Sequence, residues 1–495
     1  GRHAEAEPLL REVLRWGEAK LGPFHPEVLA SAGDLARVLK ARGELREAEL
    51  LCRRAWQGHE CTLGPEHETT LTSLNNLAVL LQVLGRHREA EPLLRRALQV
   101  REARLGTESP GAKEQLGRCL AAMGQHGEAE TLLREALRIT EKTLDACHPS
   151  RASAQQGLGC CLQARGRHGE AEKLLRAALE SRQKALGISH PDTLSSLNDV
   201  AKLDDLMGRH AVAEPQLRRV LQGRRAVLGS THPDTLSSMD SLSMVLKALG
   251  RHADAEPLQQ CALEGRVRVL GVKHPDTLSS MNNMALLLKA TGRPNEAEEF
   301  YTRVLKLREA ALGPAHPDTL VSMNNLGMLQ QSKGEVEKAE HLILRAMEQS
   351  KVVLGSQHPD TLTTINNYAM LLNSMRRHEE AQRLLEGALE SCEATLGSTH
   401  PHILSTLNNL GVVLQSAGKL DEAEASCRRA LDGRKTTLGP SHPATLNAIN
   451  NLALLLQARG DHIEAHRLLV QAAESCETSL GSEHPQTLLA ARTLN

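Results

Sequence analysis

The sequence predicts an all-α solenoid in which one two-helix unit is repeated along the chain. First, the segment His190-Pro191-Asp192-Thr193-Leu194 returns at a step of 42 residues, and a fixed period of this kind is typical of repeat architectures. Second, a glycine returns at the same step. Third, only six of the 495 residues are aromatic, so the interior must be filled by Leu, Ala, Val and Met. Most of these are good helix formers, whereas residues that favour strands are scarce.

The histidine-proline motif predicts the connector between units and the start of a first helix. Proline suits the first helical position, and the aspartate after it suits the positive end of the helix dipole. The full motif begins at His190, His232, His274, His316 and His358, and variants begin at His25, His67, His148, His400, His442 and His484.

The repeated glycine predicts the turn that ends the first helix, because glycine readily adopts the left-handed conformation there. It stands at Gly1, Gly43, Gly85, Gly124, Gly166, Gly208, Gly250, Gly292, Gly334, Gly418 and Gly460, with Arg376 in one copy. An alanine follows five residues later in each copy, for example Ala297 after Gly292. A small residue at every such place predicts two helices that cross closely.

One unit, from His274 to Gly313, shows the predicted core. Apolar residues recur at helical spacing in both predicted helices, each of about 16 to 20 residues by its start and stop signals. The core positions are Leu278, Met281, Met284, Ala285 and Leu288, then Ala297, Tyr301, Val304, Leu305 and Leu312. A hairpin this small cannot bury its apolar face alone, so we expect stacked neighbours to share a continuous core.

We predict two repeat blocks, 1–105 and 115–495, separated by an irregular joint at 106–114. The step from Gly85 to Gly124 is three residues shorter than the others. The joint is either a hinge or a locally shortened helix start. Both ends of the chain fall inside a repeat, so we expect a fragment of a longer protein.

Charge and composition exclude several function classes. Lys plus Arg total 59 against 60 Asp plus Glu, so no excess positive charge favours nucleic acid or an anionic membrane. No stretch of 18 apolar residues predicts a membrane-spanning helix. The ten cysteines include no C-x-x-C pair and are expected to be buried or half-buried free thiols in a reducing compartment, which indicates the cytoplasm.

No catalytic constellation is present, so we predict that the chain is not an enzyme and needs no cofactor or metal. The 23 histidines recur because the unit recurs. Packed helices lie about 8–10 Å apart, too far for equivalent histidines in successive units to share a zinc ion. We therefore expect them to be connector or turn residues.

The series Met284, Ala285, Leu288, Gly292, Ala297 and Tyr301 resembles the tetratricopeptide repeat. The 42-residue unit, the Asn-Asn-Leu-Ala run and the Leu-Gly-x-x-His-Pro-Asp connector are similar to the subtype found in kinesin light chains and nephrocystin-3. The resemblance covers essentially the whole chain and implies a right-handed superhelix whose first helices line a concave groove. Kinesin light chains carry about half as many repeats, and their heavy-chain-binding heptads have no counterpart here. The other domains of nephrocystin-3 are also absent.

Asparagine pairs recur in the middle of the first helices, although asparagine is a poor helix former. An amide can donate to and accept from a peptide backbone, and the resemblance implies that such asparagines line a cargo groove. The alternative is an asparagine ladder that bonds adjacent repeats. The predicted groove residues are Asn282, Asn324, Asn366, Asn408 and Asn450, the apolar Leu286, Met328, Met370 and Val412, and the basic Lys202, Lys247 and Lys289.

The lysines predict a mildly basic groove around residues 198–289 that prefers acidic peptides. Asp199, Asp205 and Asp240 lie nearby, and ordinary surface lysines are the alternative interpretation. The leading function is a scaffold that binds proteins or peptides, and the resemblance implies a cargo adaptor of the kinesin-light-chain kind, associated with the cytoskeleton or cilium. A kinesin heavy chain would bind through regions that this sequence does not contain. The alternative is a ligand-sensing or regulatory repeat array of a nephrocystin-3-like or nucleotide-switch protein.

Overall fold

The computed structural model describes residues 3–42, 44–105 and 109–480, and within them the chain forms 23 α-helices and no strand. Even-numbered helices are the first helices of the repeats, and odd-numbered helices are the second helices. Several sequence landmarks lie outside the described residues: Gly1, Gly43, residues 106–108 of the joint, His484 and Leu488–Asn495.

The helix bounds follow the predicted start and stop signals. The first helices are α2 Pro26–Arg42, α4 Glu68–Val83, α6 Pro110–Ala122, α8 Pro149–Ala164, α10 Pro191–Leu206, α12 Pro233–Ala248, α14 Pro275–Ala290, α16 Pro317–Ser332, α18 Pro359–Ser374, α20 Pro401–Ser416 and α22 Pro443–Arg459. The second helices are α1 His3–Leu21, α3 Leu45–Leu63, α5 His87–Leu105, α7 His126–Thr143, α9 His168–Leu186, α11 His210–Leu228, α13 His252–Val269, α15 Pro294–Leu312, α17 Val336–Val353, α19 His378–Leu396, α21 Leu420–Leu438 and α23 His462–Leu480.

Each connector histidine caps the first helix that follows it. In His316, the side-chain Nδ1 accepts a hydrogen bond from the backbone N–H of Asp318 at 3.2 Å. The same bond recurs at His67, His148, His190, His232, His274, His358, His400 and His442. A side-chain acceptor at this position satisfies a backbone donor that has no partner inside the helix. The connector histidines are therefore helix caps.

The turn after each first helix has the predicted left-handed geometry. Gly292 has a φ of +76°, and the N–H of the next residue, Arg293, donates to the carbonyl of Leu288 at 2.9 Å. This bond closes the end of the helix. Arg376 replaces the glycine in one copy and still adopts a φ of 61°, so the conformation is a property of the turn.

The two helices of a repeat cross as closely as the alanines predict. A Cβ added to Gly327 in α16 would lie 3.4 Å from the carbonyl oxygen of Ala339 in α17 and 2.5 Å from Cγ1 of Ile343. Gly117, Gly159 and Gly411 face the second helix in the same way. The alanines of the crossing are fully buried, as at Ala297 and Ala339. Larger side chains on either helix would force the helices apart.

The predicted core of the unit from His274 to Gly313 is confirmed with one exception. Tyr301 is buried in one cluster with Met284, Ala285, Leu288 and Leu305, and Val304 is fully buried as well. Leu312 is 42% exposed, so its placement in the core was wrong. It is the last residue of α15, beyond the reach of the helix crossing. Six cysteines are buried and four are exposed, and all ten are free; the expectation that none would be exposed was wrong.

The chain divides into two compact units. Unit 1 contains the residues up to Leu203 together with Gln216–Met239 and Glu264–Asp276. Unit 2 contains Asp204–Pro215, Asp240–Leu263 and the residues from Thr277 onward. Each unit is built from the same helix pairs. At the irregular joint, α6 has 13 residues whereas α8 has 16. The missing residues shorten the start of this first helix, and a hinge at this joint stays a prediction.

We predict that Ala297→Leu destabilises the fold by about 1–3 kcal/mol, because a larger side chain overpacks the close crossing. Urea unfolding measures the loss. Ala290→Leu is the matched control, since Ala290 is exposed at the end of α14 and should tolerate the change. Equal stability of the two variants would show that the crossing is looser than the structure indicates.

Stability should fall when the pH drops below about 6.5, the ordinary pKa of histidine. Burial lowers the pKa of His59, His168, His274 and His402 in the fold. The folded chain keeps these rings neutral, while the unfolded chain protonates them first. Their contribution is therefore complete above the unfolded pKa and is lost as the pH falls toward the folded values. Thermal unfolding at about pH 7.5 and 5.5 tests this, and a Tm that rises on acidification would contradict it.

Candidate functional site

The predicted asparagines lie at equivalent places on successive first helices of unit 2. Asn282 is on α14, Asn324 on α16 and Asn366 on α18, with Asn408 on α20 and Asn450 on α22. Neighbouring first helices contact each other directly, as α16 does with α18 and α18 with α20. The first helices thus form one layer that carries equivalent side chains across several repeats.

Hydrogen bonds join these asparagines into a ladder between repeats. The Nδ2 of Asn325 donates to Oδ1 of Asn282 at 3.0 Å. The Nδ2 of Asn367 donates to Oδ1 of Asn324 at 3.0 Å, and Asn451 repeats the bond to Asn408 at 3.1 Å. In each case, the second asparagine of one repeat binds the first asparagine of the repeat before it. The inter-repeat ladder, which was the alternative role for these residues, is therefore present.

The first asparagine of each pair is more buried than a residue needs to be in order to contact a ligand in a groove. Asn324, Asn366 and Asn408 are 5%, 6% and 7% exposed. Asn366 departs from the ladder: its Nδ2 donates to Oγ1 of Thr406 at 3.0 Å, and its buried Oδ1 has no partner. The ladder fixes the register of adjacent first helices. Contact between these amides and a ligand stays a prediction.

An apolar stripe follows the ladder on the same helices. Leu286, Met328, Met370 and Val412 are half-buried, and Leu454 continues the series with 58% exposure. Their side chains are four residues beyond the first asparagine of each pair, one helical turn away. Each repeat therefore presents one apolar side chain from its first helix.

Charged residues are few on the first helices that carry this stripe, and α14 has Asp276 in its first turn and Lys289 in its last. In α16 and α18, Asp318 and Asp360 at the first turn are the charged residues, α20 has none, and α22 has Arg459 at its end. Amides such as Gln331 and Gln415 stand one further turn along and are half-buried. From α16 to α22, the face is thus mainly apolar and amide-bearing, with its charged residues at the helix ends.

The predicted lysines fall in both compact units. Lys202 is exposed on α10 in unit 1, while Lys247 on α12 and Lys289 on α14 belong to unit 2. Lys247 is half-buried, and burial lowers its pKa although Asp205 raises it. Asp240 on α12 is buried and accepts hydrogen bonds from Gln259 and Asn283. Acidic and basic groups therefore alternate here, and a preference for acidic peptides stays a prediction.

A buried arginine joins each of several second helices to the next repeat, and sequence reasoning missed it. Nη1 of Arg308 in α15 donates to the backbone carbonyl of Asp318 at 2.9 Å and to Oγ of Ser322 at 2.8 Å. Arg182, Arg224, Arg266 and Arg434 make the same bond to a backbone carbonyl. Burial lowers the pKa of Arg308. The sequence does contain a signal for this contact: each of these arginines stands eight residues before a connector histidine.

Two kinds of feature are absent from the described part of the chain. No group of three or more His, Cys, Asp or Glu side chains there is placed to hold a metal ion. None of the helices described combines the length and apolar character needed to cross a bilayer.

An α-solenoid whose repeats each add apolar and amide side chains to the same face is typical of protein-interaction scaffolds. Tetratricopeptide repeat models match residues 1–60, 70–111 and, in overlapping segments, 108–478. The chain therefore belongs to the tetratricopeptide repeat family. No curated protein matches it as a relative.

Solved structures of other repeat proteins are similar to parts of the chain. A putative kinesin light chain of Podosopora anserina with nearly identical TPR-like repeats is 29% identical, with a TM-score of 0.35 over 42% of this chain and 99% of that chain. BtubC (BKLC) from P. vanneervenii is 24% identical, with a TM-score of 0.37 over 48% and 92%. The human IFIT1 dimer with m7Gppp-AAAA is 16% identical, with a TM-score of 0.48 over 90% of both chains.

We predict that Asn325→Ala lowers the free energy of unfolding by about 1 kcal/mol, because it removes one rung of the ladder and leaves Asn282 without its donor. Asn295→Ala is the control, since Asn295 is exposed on α15. Amide hydrogen exchange of α14 and α16 locates the loss. The same loss in both variants would argue against a structural ladder.

Proposed function

We propose that the chain is an interaction scaffold that binds peptide segments across the first helices of unit 2. The observation that carries this proposal is the alignment of Met328, Met370 and Val412 beside the asparagine ladder on helices that have almost no charge. Apolar anchors spaced by one repeat suit an extended or helical peptide with matching apolar side chains. Amides beside them can pair with the polar backbone of such a peptide.

The rigid spacing of the first helices supports this role. The ladder, the close helix crossings and the buried arginines hold successive first helices at fixed spacing, so a ligand meets a surface that is already formed. A preformed surface loses less conformational entropy on binding than a flexible one. More of the free energy of the peptide contacts is then retained as binding affinity.

Within this class, we propose a cargo adaptor of the kinesin-light-chain kind that works in the cytoplasm in microtubule-based transport. The support is the sequence resemblance: the 42-residue unit, the His-Pro-Asp connector and the repeated Asn-Asn pairs. In such an adaptor, this face would bind the cargo segment, and the motor would bind elsewhere.

Charge placed on the apolar stripe should weaken peptide binding. We predict that Met328→Glu combined with Met370→Glu weakens binding at least about tenfold, because two carboxylates must be desolvated against apolar anchors. Peptides of about 12 residues, selected from a random displayed library with the unaltered chain, are the probes. Fluorescence anisotropy measures their affinity, and circular dichroism checks that helicity is kept.

Val352→Glu provides the control, because Val352 is 86% exposed at the end of a second helix, away from the stripe. Replacing Asn324, Asn366 and Asn408 together with Ala is the companion variant for the amides. Failure to select any peptide, or equal binding by the double glutamate variant and the control, would contradict the proposal.

A further inference from the structure

The first turn of α20 differs from that of the other first helices. In five repeats, the residue after the connector proline is an aspartate; these are Asp192, Asp234, Asp276, Asp318 and Asp360. A carboxylate there is stabilised by the positive end of the helix dipole. Among the first helices that the structure describes, α20 is the one with a histidine at this place, His402, and its first turn holds no acidic residue. A group that can gain a positive charge therefore lies where a negative charge is favoured.

His402 lies between the cap of its own helix and the preceding first helix. Its backbone N–H donates to Nδ1 of His400 at 3.3 Å, and the two rings stack with their centroids 5.4 Å apart. Nδ1 of His402 is 3.4 Å from Oγ1 of Thr363 on α18. The cap needs an unprotonated Nδ1 on His400, because a protonated ring nitrogen is a donor and accepts no hydrogen bond. Protonation of either ring would therefore disturb the same helix start.

A carboxylate and two further histidine rings act on His402 from α18 and the connectors. Burial has the largest effect and lowers the pKa of His402, while Asp360 on α18 raises this pKa and His358 lowers it. The carboxylate of Asp360 is shared, because it lies 3.8 Å from Nδ1 of His358. His400 is the ring stacked on His402. In acid, these three histidines would compete for the carboxylate of Asp360.

Two second helices, α19 and α21, also pack against α20. Glu393 near the end of α19 is paired with Arg429 of α21. Arg434, also on α21, is buried and donates to Oγ of Ser405 near the start of α20 at 3.2 Å. The helix α20 itself has no charged residue. A protonated histidine in its first turn would therefore have a second positive charge nearby on α21.

The start of α20 also lacks the buried arginine that binds other first helices. In five repeats an arginine stands eight residues before the connector histidine, as Arg308 does before His316. Eight residues before His400 stands Cys392, which is buried and donates to the carbonyl of Ser356 at 3.3 Å. A thiol is a weak donor. The arginine contact that holds the start of α16 therefore has no counterpart from α19.

The asparagine ladder is interrupted at the same joint. Its hydrogen bonds connect α14 to α16, α16 to α18, and α20 to α22. Between α18 and α20, Asn366 donates to Thr406 at 3.0 Å, and its buried Oδ1 has no partner among the described residues. The bond that Asn409 would supply is therefore missing. Three features that hold other first helices in place, the aspartate, the arginine and the ladder bond, are thus changed at α20.

We propose that the start of α20 is an acid-sensitive joint, at which protonation of His402 loosens the helix and weakens ligand binding on the first helices of unit 2. This control rests on the proposed peptide-binding function, because α18 and α20 carry Met370 and Val412 of the apolar stripe. Movement of α20 would change the spacing between these two anchors. The chain would then hold a peptide near neutral pH and release it in a mildly acidic environment.

Amide hydrogen exchange of the full chain tests the joint directly. Between about pH 7.5 and 5.5, we expect protection at the start of α20 to fall at least about threefold more than at the start of α16, because a positive charge is unfavourable at that helix end. His402→Asp restores the residue of the other repeats and should remove this excess. Asp318→His should create a smaller loss at α16, where Arg308 still holds the helix.

A peptide of about 12 residues without histidine or acidic residues, selected with the unaltered chain, tests the effect on binding. We expect its affinity to fall at least about threefold between the same two pH values, and His402→Asp to lose most of that dependence. His341→Asp is the matched control, because His341 is exposed on α17, and it should behave as the unaltered chain does. Circular dichroism at both pH values checks that each variant stays folded.

The two measurements separate the joint from the peptide surface. Equal exchange at α20 in His402→Asp and the unaltered chain at both pH values overturns the proposal. Equal pH dependence of peptide affinity in those two chains overturns it as well. If no peptide binds at either pH, the proposed function and its control by acid both fail, whereas an exchange difference that depends on His402 would still establish the joint.

Discussion

The close crossing of the two helices in each repeat is the constraint on which the rest of the structure depends. Gly327 meets the backbone of Ala339 directly, and alanines fill the equivalent positions of other repeats without any exposure. Because the same contact recurs in successive repeats, it sets the same separation and angle between helices each time. Equivalent side chains can then align across repeats, which is the condition for both the asparagine ladder and the apolar stripe.

Successive repeats are connected by two kinds of polar contact and by a continuous apolar core. A connector histidine caps most first helices, though not α6, which follows Ser109, and a buried arginine such as Arg308 binds the backbone at the same helix start. Arg293 also pairs with Glu256 and Glu296 at 2.6 Å, but these side chains are 40% or more exposed, and exposed ion pairs add little stability. The caps and the buried arginines therefore determine how each first helix is placed.

Departures from the repeat are more informative about function than the repeat itself. The consensus positions explain why the helices stack, and most of them are buried or engaged. Where the pattern changes, at the short start of α6, a cleft is lined by both acidic and basic side chains, among them Glu114, Arg118 and Asp192. In the proposed scaffold, a uniform face would suit many peptides, and a local departure would favour one chemical group.

The sequence by itself determined the fold class, the helix boundaries, the left-handed turn and the close crossing, because these depend on residues within one unit. It also indicated which surface carries the amides. Only the tertiary structure decided that Asn325 pairs with Asn282, that Arg182 and Arg308 are buried, and that the first turn missing from α6 leaves a cleft. The two asparagines are 43 residues apart, and the arginines bind the start of the next first helix 10 residues further along the chain, so both contacts form only when the helices pack together. Periodicity shows that a residue recurs, but the direction of its side chain and the identity of its partner follow from packing.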